Sequence, residues 1–243
     1  MVPPGQPITP LRLFADLSRS GSFAARLLLI AGMFGVFFFL TQFLQRVMGF
    51  SPLRAGVAFL PLTVVLYAMS RAAPRLMPRL GAKPLMIAGM LPAIASMAWL
   101  SRVSPATGYW SGVFGPMVLP GIGMGLVFVP LTTASLAGVA PADSGAASSM
   151  VNVMQQVGGA LGLAVLVAVY DTASRNAARH PLPGLTAAAQ AQHVLAHGMA
   201  AAFLLAAILD LCSLVLIITL IRTRKLAPDR ATARREQEPA VAS

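Results

Sequence analysis

The sequence predicts an all-α, polytopic membrane protein with six transmembrane helices. Of its 243 residues, 57% are hydrophobic and only 10% are charged, and the mean hydropathy is +0.76. Several apolar runs approach the roughly 20 residues that a helix needs to cross about 30 Å of hydrocarbon. A soluble chain of this length needs far more polar surface, so this composition excludes an ordinary globular domain.

The most informative stretch runs from residue 112 to 168, where two long apolar runs flank a short polar turn at 141–144. Both runs are rich in glycine and proline, which membrane helices tolerate because neighbouring helices satisfy the freed backbone groups. Small residues also let two helices approach closely. We therefore expect helix packing at Gly121, Gly125, Gly158 and Gly162, and a bend in the fourth helix at Pro130.

The chain divides into a leader, a six-span bundle and a tail. Residues 1–22 form a polar, proline-containing leader, and residues 222–243 form a charged tail that we expect to be disordered. Two connections are long, a basic one at 71–83 and a hydrophilic one at 171–197. The predicted spans cover residues 23–45, 53–70, 84–100, 110–136, 145–170 and 198–221.

The basic residues predict the orientation of the bundle. Six spans place both termini on one side, and that side holds 13 of the 18 Lys and Arg residues, counting Arg26. Because basic loops stay in the cytoplasm, we expect both termini to be cytoplasmic and the protein to lie in the plasma (inner) membrane. This topology also accounts for the net charge of +11, so no nucleic-acid partner is expected.

Several motifs in this order resemble the major facilitator superfamily, specifically the C-terminal six spans of its fourteen-span drug:proton antiporter branch. The resemblance covers almost the whole chain from Pro10 to Ile221. The matching segments are Pro10–Phe14, Gln42–Arg46, Gly49–Leu53, Gly56, Leu60–Leu62, Gly121–Thr133, Asn152, Gln155–Gly159 and Gly162.

The resemblance implies a transporter that exports amphipathic small molecules in exchange for protons by rocking two halves around a central site. Its partners would be the lipid bilayer, the substrate, protons, and either an N-terminal half of six or eight spans or a second copy. The connection at 71–83 resembles the family's cytoplasmic loop motif at Arg79, Gly81 and Lys83. Pro74 and Pro78 replace the motif's usual glycine and aspartate, so an ion pair carried by that aspartate is not expected.

Two groups of polar residues inside the spans are candidates for the transport pathway. Asn152, Gln155 and Gln156 fall on one flank of the fifth span, because residues three and four apart are neighbours on a helix. They line an export pathway or form hydrogen bonds between helices, and the sequence does not separate these functions. Gln42 in the first span is a further candidate of the same kind.

Asp210 is the only acidic residue in the middle of a predicted span. An aspartate at the centre of a bilayer costs roughly 2.5–3.5 kcal/mol, so we expect it to face protein or water. It either carries a transported proton or is a neutral carboxyl hydrogen-bonded to a neighbouring helix. The resemblance supplies no matching residue at this position.

An enzyme is not expected, and neither is a bound metal or cofactor. His193 and His197 are spaced for a metal pair on a helix, but no adjacent glutamate completes a metalloprotease motif. Asp171 and Asp210 lack the sequence context of an intramembrane aspartyl protease. Two alternatives to an exporter stay open: a truncated or split fragment that is inactive without an N-terminal half, and a membrane scaffold or protease-like enzyme.

Overall fold

The computed structural model describes residues 16–140 and 143–221, and its regular structure is helical. Six helical segments in this part of the chain are long and apolar enough to cross a membrane, which confirms the predicted fold class. Most of the predicted leader, the charged tail and part of the turn at 141–144 lie outside the described residues.

Seven α-helices make up the six spans. The first span is α1 (Leu17–Gln42) with a π-helical extension, Phe43–Val47, and the second is α2 (Pro52–Ala58) followed by α3 (Leu60–Leu80). The third is α4 (Ala82–Leu100), and the fourth is a π-helical turn, Tyr109–Val113, followed by α5 (Phe114–Leu136). The fifth and sixth are α6 (Ser144–Arg179) and α7 (Ala187–Leu220).

Four helices reach well beyond the spans drawn from apolar runs. Helix α1 begins at Leu17, α3 continues to Leu80, α6 continues to Arg179 and α7 begins at Ala187. The connections expected at 71–83 and 171–197 are therefore mostly helical. The backbone is broken at Gly81 in the first connection and at 180–186 in the second.

Helix α3 accommodates two prolines in the segment that was expected to be a connection. Pro74 and Pro78 lie inside the helix, and each removes the N–H that would bond a carbonyl four residues earlier. Both prolines are exposed, so their rings lie on the open side of the helix. The helix ends at Gly81, whose φ of 85° suits glycine.

The second connection is helical because alanine, a strong helix former, is the commonest residue in both of its arms. Thr186 caps α7 by accepting a hydrogen bond from the Ala189 N–H at 3.3 Å. Between the two helices lie Pro181, Pro183 and Gly184, and the φ of Gly184 is 82°. These three residues confine the break to a short loop.

The helices form two layers. In the front layer α3 packs on α5, α5 contacts α1, and α1 packs on α6. Behind it, α4 packs against α5 and α7, and α7 packs against α1 and α6. Helices α3 and α6 are therefore the two ends of the front layer.

A glycine seam joins α1 and α6. A Cβ on Gly158 would lie 2.6 Å from the Leu27 carbonyl oxygen, and one on Gly162 would lie 2.2 Å from the Ala31 Cβ. These pairs advance four residues at a time on both helices, so the two helices run parallel. The seam fixes which face of α6 is turned away from α1.

A second glycine seam joins α5 and α3. A Cβ on Gly121 would lie 2.6 Å from the Leu62 carbonyl oxygen, and one on Gly125 would lie 2.4 Å from the Met69 Cβ. Substituting any larger residue at these glycines requires a shift of the backbone or of α3.

The prolines of α5 are accommodated by neighbours. Pro120 has no N–H, which leaves the Pro116 carbonyl without its helical donor. The buried Ser96 hydroxyl of α4 donates to that carbonyl at 2.6 Å. Pro130 is also inside α5 and is buried, so both prolines face neighbouring helices.

Candidate functional site

An aromatic strip lies on the open face of α1. Phe34, Phe37 and Phe38 are each 38–39% exposed, and their spacing of three and four residues places them on one side of the helix. Gln42 and Gln45 continue the strip and are half-buried. The strip therefore changes from aromatic to amide side chains along the helix.

The aromatic strip adjoins the polar flank predicted on α6. The Phe34 ring lies 3.1 Å from where a Cβ on Gly159 would stand, and Gly159 is one turn from Gln155 and Gln156. Asn152 and Gln156 are exposed, and Gln155 is half-buried. Exposed phenylalanine and amide side chains thus share one continuous surface across two helices.

The three amides of α6 have no hydrogen-bond partner among the residues that the structure describes. None of their side chains has a hydrogen bond to another residue in 16–140 or 143–221. Interhelical bonding within this part of the chain does not account for them. Their donors and acceptors face outward, where water, a ligand or another helix can bind them.

Phe59 extends the same surface toward the second span. Its ring stacks on Phe37 with a centroid separation of 5.6 Å and an interplanar angle of 18°. It lies at the break between α2 and α3, next to Leu60 and Pro61. These phenylalanines were not among the predicted site residues. They lie in a uniformly apolar run, where the residue types do not show which face of the helix is open.

A buried arginine, also missed from the sequence, lies between α1 and α5. Arg26 is only 2% exposed and donates through Nη2 to the Thr132 hydroxyl. Its guanidinium lies 5.6 Å from the centroid of the Phe128 ring, and its Nε has no hydrogen-bond partner in the described chain. In the predicted topology Arg26 is one of the cytoplasmic charges, whereas in the structure it is part of the packed front layer.

Asp210 lies at the contact between α7 and α1. It is 1% exposed, and its Oδ1 lies 2.7 Å from where a Cβ on Gly32 would stand. That oxygen has no hydrogen-bond partner within the described residues. One turn away, Ser213 donates to the Ala25 carbonyl at 2.8 Å, so the polar neighbour is satisfied while the carboxyl is not.

The structure separates the two aspartates that an intramembrane protease would pair. Tyr170, which precedes Asp171, lies against Gly198, and Asp210 is twelve residues further along α7, about 18 Å at 1.5 Å per residue. Two carboxyls at such a separation cannot share a proton. Among the described residues, no group of three or more His, Cys, Asp or Glu side chains could hold a metal ion.

His193 and His197 lie on the part of α7 that was expected to be a loop. Their ring centroids are 6.0 Å apart and the ring planes are inclined by 28°. His193 is half-buried and His197 is exposed.

The cytoplasmic loop motif forms a helix junction. The Gly81 N–H donates to the Met77 carbonyl at 2.9 Å, which closes α3. Two residues later, Lys83 Nζ donates to the Ile218 carbonyl at 2.6 Å, one of the last carbonyls of α7, which lack helical partners. Arg79 is exposed. Lys83 therefore ties the start of α4 to the end of α7.

Comparison with known proteins identifies the family of the chain. Residues 3–163 match the Major Facilitator Superfamily family model. A puromycin resistance protein of Streptomyces alboniger is 41% identical over 163 residues, which cover 66% of this chain and 32% of that protein. A cephamycin export protein of Amycolatopsis lactamdurans is 40% identical over 164 residues, which cover 67% of this chain and 34% of that protein.

A longer match is more distant. A multidrug resistance protein B homolog of Mycobacterium tuberculosis is 27% identical over 234 residues, covering 86% of this chain and 43% of that protein. The chain spans about a third of the length of the first two relatives. The family match and the six apolar helices lead to one conclusion: this integral membrane protein belongs to the Major Facilitator Superfamily.

Proposed function

We propose that the chain is one half of an exporter of amphipathic small molecules and acts with a second set of spans. That set is either an N-terminal half of six or eight spans or a second copy of this chain. Two findings support the proposal. The chain spans about a third of the length of the first two relatives. In the described part of the chain, the outer face of the front layer is not covered by another helix. The first two relatives are named for puromycin resistance and cephamycin export.

The observation that carries the proposal is the surface shared by α1 and α6. Phe34, Phe37 and Phe38 offer aromatic faces, and Asn152 and Gln156 offer free amides beside them. Ligand sites are mostly apolar with a few polar groups that fix orientation. Such a surface binds an aromatic, amphipathic molecule without demanding one particular charge.

Puromycin is the first probe to test. The chain is expressed in a drug-sensitive bacterium, alone and together with the remaining spans of the Streptomyces alboniger relative, and cellular puromycin is measured. We expect lower accumulation in the co-expressing cells, and lower accumulation with the chain alone would mean that the second set of spans is a second copy. Accumulation as high in both strains as in cells without either piece, with the pieces present in the membrane, would contradict the half-transporter proposal.

The substrate surface is tested by a pair of variants in the assembled exporter. Phe34→Ala removes an exposed ring that lies against α6, and we expect at least a tenfold loss of export. Leu211→Ala is the matched control, because Leu211 is also exposed but lies on the opposite layer, on α7. An equal effect of both variants would mean that the aromatic strip has no special part in export.

We further propose that Asp210 carries the proton that drives export. It is the buried carboxyl of α7 with an unpartnered oxygen, and buried ionisable groups in membrane helices commonly belong to proton or ion pathways. Asp210→Asn keeps the shape and removes the titrating group. Proton-driven export should be lost in Asp210→Asn and kept in Ser213→Ala, and export unchanged in Asp210→Asn would exclude the coupling role.

We propose a plasma (inner) membrane location with both termini in the cytoplasm. The distribution of Lys and Arg supports this orientation. A cytoplasm-active reporter fused after Ile221 should be active, and one inserted at Gly184 should be inactive. The reverse pattern would overturn the orientation.

A further inference from the structure

The exposed face of the second span has a graded composition. Four exposed aliphatic side chains, Leu53, Val57, Leu60 and Val64, follow one another at helical spacing and are 54–80% exposed. Tyr67 comes next and is 64% exposed. Beyond it, the same face carries arginines.

Three arginines form this basic end, which we call the arginine ladder: Arg71, Arg75 and Arg79. They are four residues apart, all three are exposed, and residues four apart lie above one another on a helix. The Arg71 guanidinium lies 5.6 Å from the centroid of the Tyr67 ring. The ladder therefore begins directly beside the aromatic residue.

The ladder has no anionic partner in the part of the chain that the structure describes. None of its three side chains forms a hydrogen bond or ion pair there. Helices α2, α3, α4 and α5 contain no aspartate or glutamate. Of the described carboxyls, Asp16 lies at the start of α1, Asp143 and Asp171 lie on the α6 side, and Asp210 is buried. Among the described residues, no carboxylate lies on the helices that carry or flank these three positive charges.

The order aliphatic, aromatic, basic along one helix face corresponds to the order of layers in a phospholipid monolayer. Aliphatic side chains match acyl chains, tyrosine is enriched at the membrane interface, and arginines near the cytoplasmic surface attract anionic lipid. The distance from Tyr67 to Arg79 is about 18 Å along the axis. A planar guanidinium also binds phosphate oxygens bidentately.

We propose that this face binds an anionic phospholipid, with its acyl chains along Val64 and Leu60 and its phosphate on Arg71 and Arg75. A lipid matches the whole exposed face of the second span, because it supplies apolar chains beside the aliphatic residues and negative charge beside the arginine ladder. An acidic protein surface would account for the ladder but not for the aliphatic residues that continue it.

A tryptophan placed beside the ladder reports the lipid directly. In a Trp99→Phe, Trp110→Phe background, Tyr67→Trp gives one fluorophore at this position. The protein is reconstituted in phosphatidylcholine vesicles containing a small fraction of either brominated phosphatidylglycerol or brominated phosphatidylcholine. We expect brominated phosphatidylglycerol to quench the fluorophore more strongly than brominated phosphatidylcholine does. The difference should correspond to about fivefold local enrichment, because one basic side chain attracts anionic lipid by about 1 kcal/mol.

Two comparisons make the result specific. Adding Arg71→Gln and Arg75→Gln should bring the two quenching values together, which also excludes an effect of the basic C-terminal residues. A protein keeping only Trp110, which is 78% exposed far from the ladder, should show no preference. Equal quenching of the fluorophore at position 67 by both lipids would overturn the proposal, as would a preference that survives the arginine substitutions.

Discussion

Helices α3 and α6, the two ends of the front layer, are exposed to a similar degree but carry different side chains on their open faces. In their most apolar stretches, only 17% of residues in the α3 span and 22% in the α6 span are buried, against 44–56% in the other four spans. The open face of α3 is aliphatic, then aromatic, then basic. The open face of α6 carries free amides beside an aromatic strip, so equal exposure does not imply an equal environment.

The two helices are also held in place differently. The glycines of the seam between α1 and α6, Gly158 and Gly162, belong to α6 itself and pack against α1. Helix α3 has no glycine, and the small residues of its seam, Gly121 and Gly125, belong to α5. In each case the seam determines which residues point outward, so the seams and the open faces are tested together.

Breaking the α6 seam should have the largest effect. Gly162→Leu would place a side chain where a Cβ already lies 2.2 Å from the Ala31 Cβ. Overpacking costs about 1–3 kcal/mol or more, and here it should also turn the amide face away from α1. Thermal unfolding in detergent should show a large loss of stability. Gly56→Leu is the control, because nothing lies within 4 Å of a Cβ at Gly56, and an equally large loss there would contradict the seam.

The second-largest effect should come from a positive charge placed on either open face. The charge should cost more on α3 than on α6. Val64→Arg puts a cation on the aliphatic face of α3, at a cost of roughly 2.5–3.5 kcal/mol if that face meets lipid. Gln156→Arg puts one on the amide face of α6, where access to water would remove most of the cost. We expect Val64→Arg to reduce the amount of protein in the membrane several-fold more than Gln156→Arg, and equal amounts would erase the difference between the faces.

A smaller effect is expected where the fourth span contacts the break between α2 and α3 in the second span. The Tyr109 hydroxyl donates to the Ala58 carbonyl at 2.9 Å, at the break between α2 and α3. Tyr109→Phe should cost about 0.5–1.5 kcal/mol, the net contribution of one hydrogen bond. Thermal unfolding compares the loss of stability in Tyr109→Phe with that in Tyr67→Phe. Tyr67 is exposed, so removing its hydroxyl should not change the stability. A larger loss in Tyr67→Phe would show that this contact does not position the span.

The sequence predicted the fold class and the number of spans because long apolar runs have few other structures available to them in a membrane. It did not predict helix ends in polar segments. Residues 71–80 contain two prolines, yet they are helical because those prolines lie on the open side. Residues 187–197 do carry a signal, the alanine-rich run after Thr186, that could have been used.

The candidate site was predicted in part. The amides of α6 stood out because amides are rare in apolar spans, whereas Phe34 and Phe37 did not, because nothing in an apolar run marks which phenylalanines face outward. Arg26 was assigned to the cytoplasmic surface by its nearness to the leader. Its burial depends on Thr132 and Phe128, which are more than a hundred residues away in the chain, so local sequence could not show it.

The central claim is that the amide face of α6 meets water while the aliphatic face of α3 meets lipid. Cysteine accessibility measures this most directly, in a background where the exposed Cys212 is replaced by serine. Gln156→Cys and Val64→Cys are each treated with a water-soluble maleimide in membrane vesicles, with denatured protein as the reference for full labelling. We predict labelling at position 156 and none at position 64, and labelling of position 64 without position 156 would contradict the account.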